Sequence, residues 1–151
     1  NGKCIYKDFA LNDVLLCKSD TVKMMEYEVY VNDVFLNSYR ADGFLVSSPT
    51  GSTGYSMSAG GPIADPKARL LILTPICPHS INTRSMVLSA EEKIRIIPKN
   101  EKQLVSCDGA DATPINSGDV ITVTRSRTTM KFIKFKETSF LDTLRERMRT
   151  V

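Results

Sequence analysis

The sequence lacks tryptophan and contains one histidine among its 151 residues. Its four cysteines lie far apart and form no Cys-x-x-Cys pair, which argues against a zinc site and gives no disulfide framework that spacing could reveal. No apolar run approaches the length of a membrane span, and we expect no signal peptide. We therefore expect four free thiols, buried or half-buried, in a cytoplasmic protein that has no membrane partner.

Concentrated charge of one sign is also missing. Twenty Lys and Arg residues stand against 17 Asp and Glu residues, for a net charge of +3, and the basic residues are dispersed. The densest basic groups, residues 125–127 and 145–147, are short, and an acidic residue interrupts the second. A nucleic-acid groove needs a basic stripe with stacking aromatic side chains, so we expect no nucleic-acid partner.

Three motifs of common enzymes are absent as well. The chain has neither of the two commonest glycine-rich phosphate loops, and it has no Gly-x-Ser-x-Gly sequence of a serine hydrolase. His79 follows Pro78 and is a candidate for acid–base catalysis, but a histidine in this setting is more often structural or exposed. By residue inventory the chain looks like a binding unit, with no catalytic residue and no metal site of its own.

The composition that is present is typical of one globular domain. Hydrophobic residues make up 42% of the chain and charged residues 25%, as in folded soluble proteins. A chain of 151 residues can bury a core as one domain and is short for two. The sequence opens at Asn1 without a methionine, so we expect a fragment of a longer protein.

Short strands dominate the predicted secondary structure. From Met25 apolar and polar residues alternate, and Asn32-Asp33 separates this run from a second one, which predicts a β-hairpin. We also predict one or two strands over residues 3–17 and a strand over residues 130–135. Strands at short intervals indicate a mainly β, sandwich-like domain.

Breaks and helices are fewer. Pro75 and Pro78 predict an extended path without regular strand pairing. The only convincing helix is C-terminal, where Ser139 and Asp142 have the spacing of a capping box ahead of an apolar stripe.

Residues 42–62 are the most informative stretch of the chain. A β-branched apolar run leads into a segment made almost wholly of hydroxyl side chains and glycines. We predict a strand, a tight turn at residues 49–51 and a short helical segment that ends at residues 60–62. Because unpaired hydroxyls are costly to bury and glycine exposes bare backbone, this composition favours a site for a polyhydroxylated or phosphorylated ligand. An ordinary surface loop is the alternative.

Two polar pairs adjoin apolar runs. Asn12 and Asp13 are most simply a turn, and the alternative is a pair of hydrogen-bonding groups exposed at a strand end. Arg40 and Asp42 precede the central strand and could form a surface ion pair, which contributes little stability.

The longest motif follows Asp42-Gly43 and reads Ser-Pro-Thr-Gly-Ser-Thr-Gly-Tyr-Ser-Met-Ser-Ala-Gly-Gly-Pro over residues 48–62. A second motif, Thr-Pro-Ile-Cys-Pro-His-Ser, occupies residues 74–80. Together with Asn12-Asp13, Asp108-Gly109 and the terminal helix, these motifs closely resemble the NAD kinase family. Members of this family phosphorylate the 2′-hydroxyl of the adenosine ribose of NAD.

The resemblance implies a parent protein of two domains. An N-terminal α/β domain would carry a Gly-Gly-Asp-Gly motif, whose aspartate acts as the base and helps to bind metal and triphosphate; this chain contains no such motif. Residues 1–151 would be the C-terminal NAD-binding β domain, with NAD and NADP as ligands and the N-terminal domain as a partner. A divalent metal, expected to be Mg²⁺, and ATP or polyphosphate would bind only in the full-length enzyme. Family members are usually homo-oligomers, so a homodimer or homotetramer is expected.

The resemblance also implies which residues contact NAD. Asn12 and Asp13 would hydrogen-bond the ribose hydroxyls and amide groups, and Asp42, with Arg40 nearby, would hold the nicotinamide carboxamide. We expect the members of this set to share one hollow. The predicted NAD-binding residues are Asn12, Asp13, Arg40, Asp42, Thr50, Thr53, Gly54, Tyr55, Ser56, Met57, Ser58, Cys77 and Ala110.

Three positions depart from the family pattern. Asp13 is one methylene shorter than the usual Glu, Gly54 stands where Ala is usual, and Ala110 stands where Gln is frequent. The alternatives to an NAD kinase domain are the β domain of a related lipid kinase and a non-catalytic nucleotide-sensing module.

Overall fold

The computed structural model describes residues 4–20, 22–135 and 137–149, and antiparallel strands make up most of its regular structure. The strands are β1 (Asp13–Lys18), β2 (Met25–Val31), β3 (Val34–Ala41), β4 (Gly43–Ser47), β5 (Leu70–Ile76), β6 (Met86–Ser89), β7 (Ile94–Pro98), β8 (Gln103–Cys107), β9 (Thr113–Ile115) and β10 (Ile121–Val123). A 3₁₀ turn (Thr50–Thr53), the one-turn helix α1 (Tyr55–Ser58) and the C-terminal helix α2 (Phe140–Arg149) complete the described elements. The predicted mainly β fold with two helical segments is confirmed.

The described strands form two sheets. The larger sheet has the strand order β6-β5-β4-β1-β8-β9, and the smaller has the order β10-β7-β2-β3. In the larger sheet β1 and β4 are central antiparallel neighbours, with Asp13 opposite Ser47 and Cys17 opposite Gly43. The chain passes from the smaller sheet to the larger at Asp42, between β3 and β4. At each end, the central β1–β4 pair therefore adjoins predicted NAD-binding residues: Asn12 and residues 50–58 at one end, and Arg40 and Asp42 at the other.

The core lies between the two sheets and contains a cluster of three aromatic rings. The ring centroids of Tyr27 and Tyr39, on the smaller sheet, are 5.4 Å apart, and each lies within 6 Å of the Phe44 ring on the larger sheet at 5.2 and 5.6 Å. The Tyr27 hydroxyl donates to the Gly43 carbonyl at 3.3 Å. This cluster joins the sheets near the start of β4.

The hairpin predicted from alternation is present. Met25, Tyr27 and Val29 are buried on one face of β2, and the turn residues Asn32 and Asp33 have positive φ angles of 49° and 67°. Two consecutive residues in this region are typical of the hairpin turns that match strand twist. The Asn-Asp pair adopts these angles because its short polar side chains tolerate left-handed backbone.

One strand prediction is confirmed in part and another is wrong: β1 is the single described strand within the predicted run 3–17. Residues 4–12 contain no strand, and β1 begins only at Asp13; the first residue of the predicted run, Lys3, lies outside the described residues. Residues 130–135 also form no strand, and Phe135 is 94% exposed. An alternating pattern becomes a strand only where another strand supplies backbone partners, and none lies beside this segment in the described part of the chain.

Pro75 does not interrupt the sheet as expected. It lies inside β5 and is opposite Phe44 of β4. The neighbouring Ile76 carbonyl accepts the Asp42 N–H, so the Pro75 nitrogen faces the other side of β5, where pairing with β6 has already ended at Leu73. The missing N–H therefore costs no hydrogen bond.

The C-terminal helix begins with the predicted cap. Ser139 Oγ accepts the Asp142 N–H at 3.1 Å, and α2 contains no buried residue. Among the described residues no helix has the length and apolar character needed to cross a membrane.

The four cysteines are free. The expectation that they are buried or half-buried is correct for Cys107 and Cys17 and wrong for Cys4 and Cys77, which are exposed.

Candidate functional site

Two of the six Ser and Thr side chains in residues 48–58 are buried. Ser52 is fully buried, and its Oγ donates to the Pro49 carbonyl at 2.7 Å and accepts the Ala64 N–H at 3.0 Å. Ser56 is also fully buried, with its Oγ 3.2 Å from the Thr74 Oγ1 of β5. These hydroxyls are satisfied within the protein, so part of the Ser/Thr density here serves structural hydrogen bonds.

Gly61 allows α1 to pack on β5. A Cβ at this position would overlap Ser56 Oγ and lie 2.9 Å from Thr74 Oγ1. The Gly61 N–H donates to the Ser56 carbonyl at 2.8 Å, which ends the helical turn. The predicted helical stop at residues 60–62 thus has a packing reason as well as a conformational one.

Apart from the buried Gly51, the remaining residues of this segment are half-buried or exposed. Tyr55 and Met57 are 47% and 42% exposed, Gly54 and Ser58 are exposed, and Thr53 is half-buried. The half-buried Thr50 provides the carbonyl that accepts the Thr53 hydroxyl at 3.4 Å. Of the predicted ligand-binding residues in this segment, all except Ser56 are therefore at least partly accessible to solvent. The Ser56 side chain instead contacts Thr74 and so packs α1 against β5.

Asn12 and Asp13 lie beside this segment, because β1 and β4 are paired. The Ser48 N–H donates to the Asn12 carbonyl at 2.8 Å, and a Cβ on Gly51 would overlap that same carbonyl. Asn12 lies in a bend and Asp13 is the first residue of β1. Asn12 therefore agrees with the turn reading, whereas Asp13 stands at a strand end but is buried, so the alternative of an exposed pair is not met.

Asp13 is buried at the start of its strand, with a relative exposure of 8%. Burial, and secondarily the negative charge of Asp108, raise the pKa of the Asp13 carboxyl above its ordinary value. The thiol of Cys107, whose pKa is raised by burial and by the nearby carboxylates, belongs to the same group. The Asp13 carboxylate is therefore poorly solvated and suited to accept hydrogen bonds from a bound ligand.

Asp108 was predicted only as part of a turn, yet it holds the Asn12–Asp13 segment. Its carboxylate accepts the N–H groups of Leu11, Asn12 and Asp13 at 2.5, 2.7 and 3.0 Å. Sequence reasoning missed this contact because its partners are more than 90 residues apart; the only local signal was an acceptor side chain at an Asp-Gly turn. Ala110 follows this turn and is exposed.

Asp42, Arg40 and Cys77 form a separate group at the opposite end of β4. Asp42 Oδ1 lies 2.6 Å from Lys18 Nζ, and Arg40 Nε lies 3.1 Å from the Glu26 carboxylate. The suggested Arg40–Asp42 ion pair is thus replaced by two other pairs. Cys77 is exposed, with a positive φ of 46°, directly after β5.

A polar groove of about 380 Å³ adjoins this second group. Its walls are residues 37–40 of β3 and residues 78–80 with Thr83. The exposed His79 lines it, and the backbone N–H of His79 donates to the Arg40 carbonyl at 2.9 Å. His79 is exposed, as is common for a histidine that follows a proline.

The predicted set therefore does not share one hollow within a single chain. The five residues of β4 lie between Asp42 and Ser48, a separation of roughly 20 Å in extended chain. Asn12, Asp13, residues 50–58 and Ala110 belong to one end, and Arg40, Asp42 and Cys77 belong to the other. Among the described residues, no three His, Cys, Asp or Glu side chains are grouped so that they could hold a metal ion.

Comparison with known proteins defines the class to which this fold and site belong. Residues 11–135 match the family model described as the ATP-NAD kinase C-terminal domain. Because this match covers most of the chain, the protein belongs to the NAD kinase family through that domain.

Individual relatives agree with this assignment. The chain is 40% identical to an NAD kinase of Lachnospira eligens, over 95% of the chain and 54% of the relative, and 42% identical to one of Moorella thermoacetica, over 93% and 46%. The chain thus spans about half the length of these curated relatives.

Solved structures show the same architecture. Yeast NADH kinase complexed with NADH superposes with a TM-score of 0.74 at 35% identity, covering 76% of this chain and 34% of that one. An NAD kinase from Archaeoglobus fulgidus in complex with ATP gives a TM-score of 0.73 at 36% identity, covering 78% and 46%.

Proposed function

We propose that residues 1–151 form the C-terminal substrate-binding domain of an NAD kinase and position NAD for phosphorylation of its adenosine ribose 2′-hydroxyl. The observation that carries this proposal is the meeting of the Asn12–Asp13 segment with the Gly51 turn and the accessible face of residues 53–58. Oxygen-bearing side chains and bare backbone at one place suit the hydroxyls and amides of a dinucleotide. The family membership supports NAD as that dinucleotide.

The chemical step needs groups that this chain does not supply. A ribose hydroxyl is a weak nucleophile, so phosphoryl transfer requires a base and a metal that offsets the charge on the transferring group. We propose that the other half of the parent protein provides both, with Mg²⁺ and ATP, and the ATP complex of the Archaeoglobus relative favours ATP over polyphosphate. The contribution of this chain is positioning, which alone can account for a large part of a barrier.

The C-terminal segment provides a surface for the other half. Phe132, Ile133 and Phe135 are 64%, 83% and 94% exposed, and Leu141 and Met148 of α2 are 65% and 64% exposed. Several exposed large apolar side chains in one part of the chain are typical of an interaction surface. Since the chain spans about half of its curated relatives, we propose that the N-terminal domain covers these side chains.

We also propose that a second copy of the chain contributes the Asp42 group to the site. The roughly 20 Å between Asp42 and Ser48 along β4 separates the two groups within one chain, and the resemblance implies subunits that complete each other's sites. A homodimer or homotetramer would bring the Asp42 end of one subunit to the Asn12 end of another. The free thiols favour a reducing compartment such as the cytoplasm.

Calorimetric titration tests the binding proposal. We expect the chain to bind NAD and NADP and to show no affinity for diacylglycerol or sphingoid bases, and we expect Asn12→Ala to weaken NAD binding. Asn116→Ala, in the exposed turn before β10, is the control and should bind NAD as the unchanged chain does. Lipid binding without NAD binding would favour the lipid kinase alternative.

The division of labour is tested by an assay with ATP, Mg²⁺ and NAD. The isolated chain should form no NADP, because the base and the metal site lie in the other half. NADP formation by the chain alone would contradict this part of the proposal.

A further inference from the structure

The carboxylate of Asp108 accepts three backbone hydrogen bonds from one short segment, residues 11–13. The Leu11 N–H donates to Oδ2, and the Asn12 and Asp13 N–H groups donate to Oδ1. In return, the Asp108 N–H donates to the Asp13 carbonyl at 3.0 Å. Hydrogen bonds to a charged acceptor are roughly twice as strong as neutral ones. This one side chain therefore ties the turn after β8 to the start of β1.

Ser48 holds the same segment from the other side. Its Oγ donates to the Leu11 carbonyl at 2.6 Å, and its N–H donates to the Asn12 carbonyl at 2.8 Å. Every backbone N–H and carbonyl of residues 11–13 is thus bonded to Asp108 or Ser48. A segment with no free backbone group has little conformational freedom left to lose when a ligand binds.

The side chains of the segment remain available. The Asn12 amide and the Asp13 carboxylate have no hydrogen-bond partner within the part of the chain that the structure describes. A backbone that is fully bonded and two polar side chains that are not bonded are the arrangement expected of a preorganised binding element.

We propose that Asp108 is a positioning residue for the Asn12–Asp13 segment and sets the affinity for NAD without touching the dinucleotide. The inference rests on the proposed function, because it assigns a role within the same site. A merely structural Asp108 is the competing explanation, since this residue also has a positive φ of 53° in the turn between β8 and β9. The two explanations differ in what they predict for binding.

Asp119 offers a matched control. Its Oδ2 accepts the Asn116 N–H at 2.8 Å in the turn before β10, so it is also a turn aspartate bonded to backbone. No contact in the described structure links it to residues 11–13. Asp119→Ala should lower thermal stability and leave NAD affinity unchanged.

The test measures NAD affinity by calorimetry and amide hydrogen exchange at residues 11–13 for the unchanged chain, Asp108→Asn, Asp108→Ala and Asp119→Ala. We expect Asp108→Ala to weaken NAD binding about tenfold or more, as for loss of a charged acceptor. Asp108→Asn should have an intermediate effect, because one amide oxygen can still accept the Asn12 and Asp13 N–H groups. Exchange at residues 11–13 should rise in the same order.

The outcomes separate this inference from the function on which it rests. If the unchanged chain does not bind NAD, both fail. If the unchanged chain binds NAD, and Asp108→Asn and Asp108→Ala both bind NAD as tightly as it does, the positioning role alone is overturned. Should Asp108→Ala fail to fold, Asp108→Asn decides: unchanged affinity overturns the role, and reduced affinity with faster exchange at residues 11–13 supports it.

Discussion

Gly51 is the residue on which the contact between the two site segments depends most directly. The backbone of Asn12 occupies the space that a Cβ would need, and backbone cannot move aside as the end of a flexible side chain can. Gly54, three residues later, has a φ of −97°. A Cβ added there would have the Gly51 carbonyl oxygen as its nearest neighbour, at 3.3 Å.

Gly51→Ala should therefore lower the free energy of unfolding by about 1–3 kcal/mol, the usual cost of overpacking, and should weaken NAD binding. Chemical denaturation and calorimetry measure the two effects. Gly54→Ala is the matched control and should change stability little. Equal stability of the two variants would show that Asn12 and Gly51 do not pack as described.

The pH dependence of stability reports on Asp13. Burial, and then the charge of Asp108, raise its pKa above the ordinary value of 3.8 in the folded protein. A carboxyl with a raised pKa favours folding when it is protonated, below 3.8, and this contribution is lost as the pH rises through the folded pKa.

Asp13→Asn should therefore stabilise the chain at pH 7 and not at pH 3, while weakening NAD binding at pH 7. Thermal melts at the two pH values, with calorimetry at pH 7, test this expectation. A variant that is less stable than the unchanged chain at pH 7 would mean that the Asp13 carboxylate has a stabilising partner.

At the scale of elements, the two helical segments depend on different interactions. α1 has a single turn, too short to be stable alone, and it is held by the Ser56–Thr74 contact and the approach of Gly61 to β5. α2 contains no buried residue and depends on its own cap and propensity. Changes in α2 should therefore act locally.

Ser139→Ala should reduce the helical content of α2, since losing an N-cap costs roughly 1 kcal/mol, and should leave the melting of the sheets unchanged. Far-UV circular dichroism and the melting of near-UV tyrosine signals separate the two effects. Thr138→Ala, one residue outside the cap, should change neither signal. A fall in the melting temperature of the sheets would show that α2 supports the core.

On the scale of the whole molecule, the core ends well before the chain does. The buried apolar cluster extends to Ile115, with Val123 the last half-buried residue packed against it. The exposed apolar side chains of residues 130–148 lie beyond it. The described domain thus consists of a two-sheet core and a C-terminal segment that contributes nothing to that core.

A chain ending at Arg127 should therefore keep the melting temperature of the full chain and bind less of a hydrophobic dye, because exposed apolar surface is removed. Differential scanning calorimetry and dye fluorescence give the two measurements. Ile115→Ala, a substitution in the core, is the contrasting control and should destabilise by about 2–5 kcal/mol. A lower melting temperature after truncation would show that the C-terminal segment packs against the sheets and stabilises them.

The sequence was sufficient for features that depend on neighbouring residues. Alternation from Met25 predicted β2, the Asn32-Asp33 pair predicted the hairpin turn, and the spacing of Ser139 and Asp142 predicted the cap of α2. The specific motif at residues 48–62 identified the family. Each of these signals is local, because backbone angles and side-chain periodicity are set within a few residues.

Only the tertiary structure decided how the separate segments meet. It placed Pro75 within a strand and left residues 130–135 unpaired, since both results depend on which strand lies alongside. It showed that the Ser52 and Ser56 hydroxyls are hydrogen-bonded to other groups inside the fold. It also separated Asp42 from Asn12 by the length of β4. The bonds from Asp108 to residues 11–13 span more than 90 residues, and no local pattern specifies a partner at that distance.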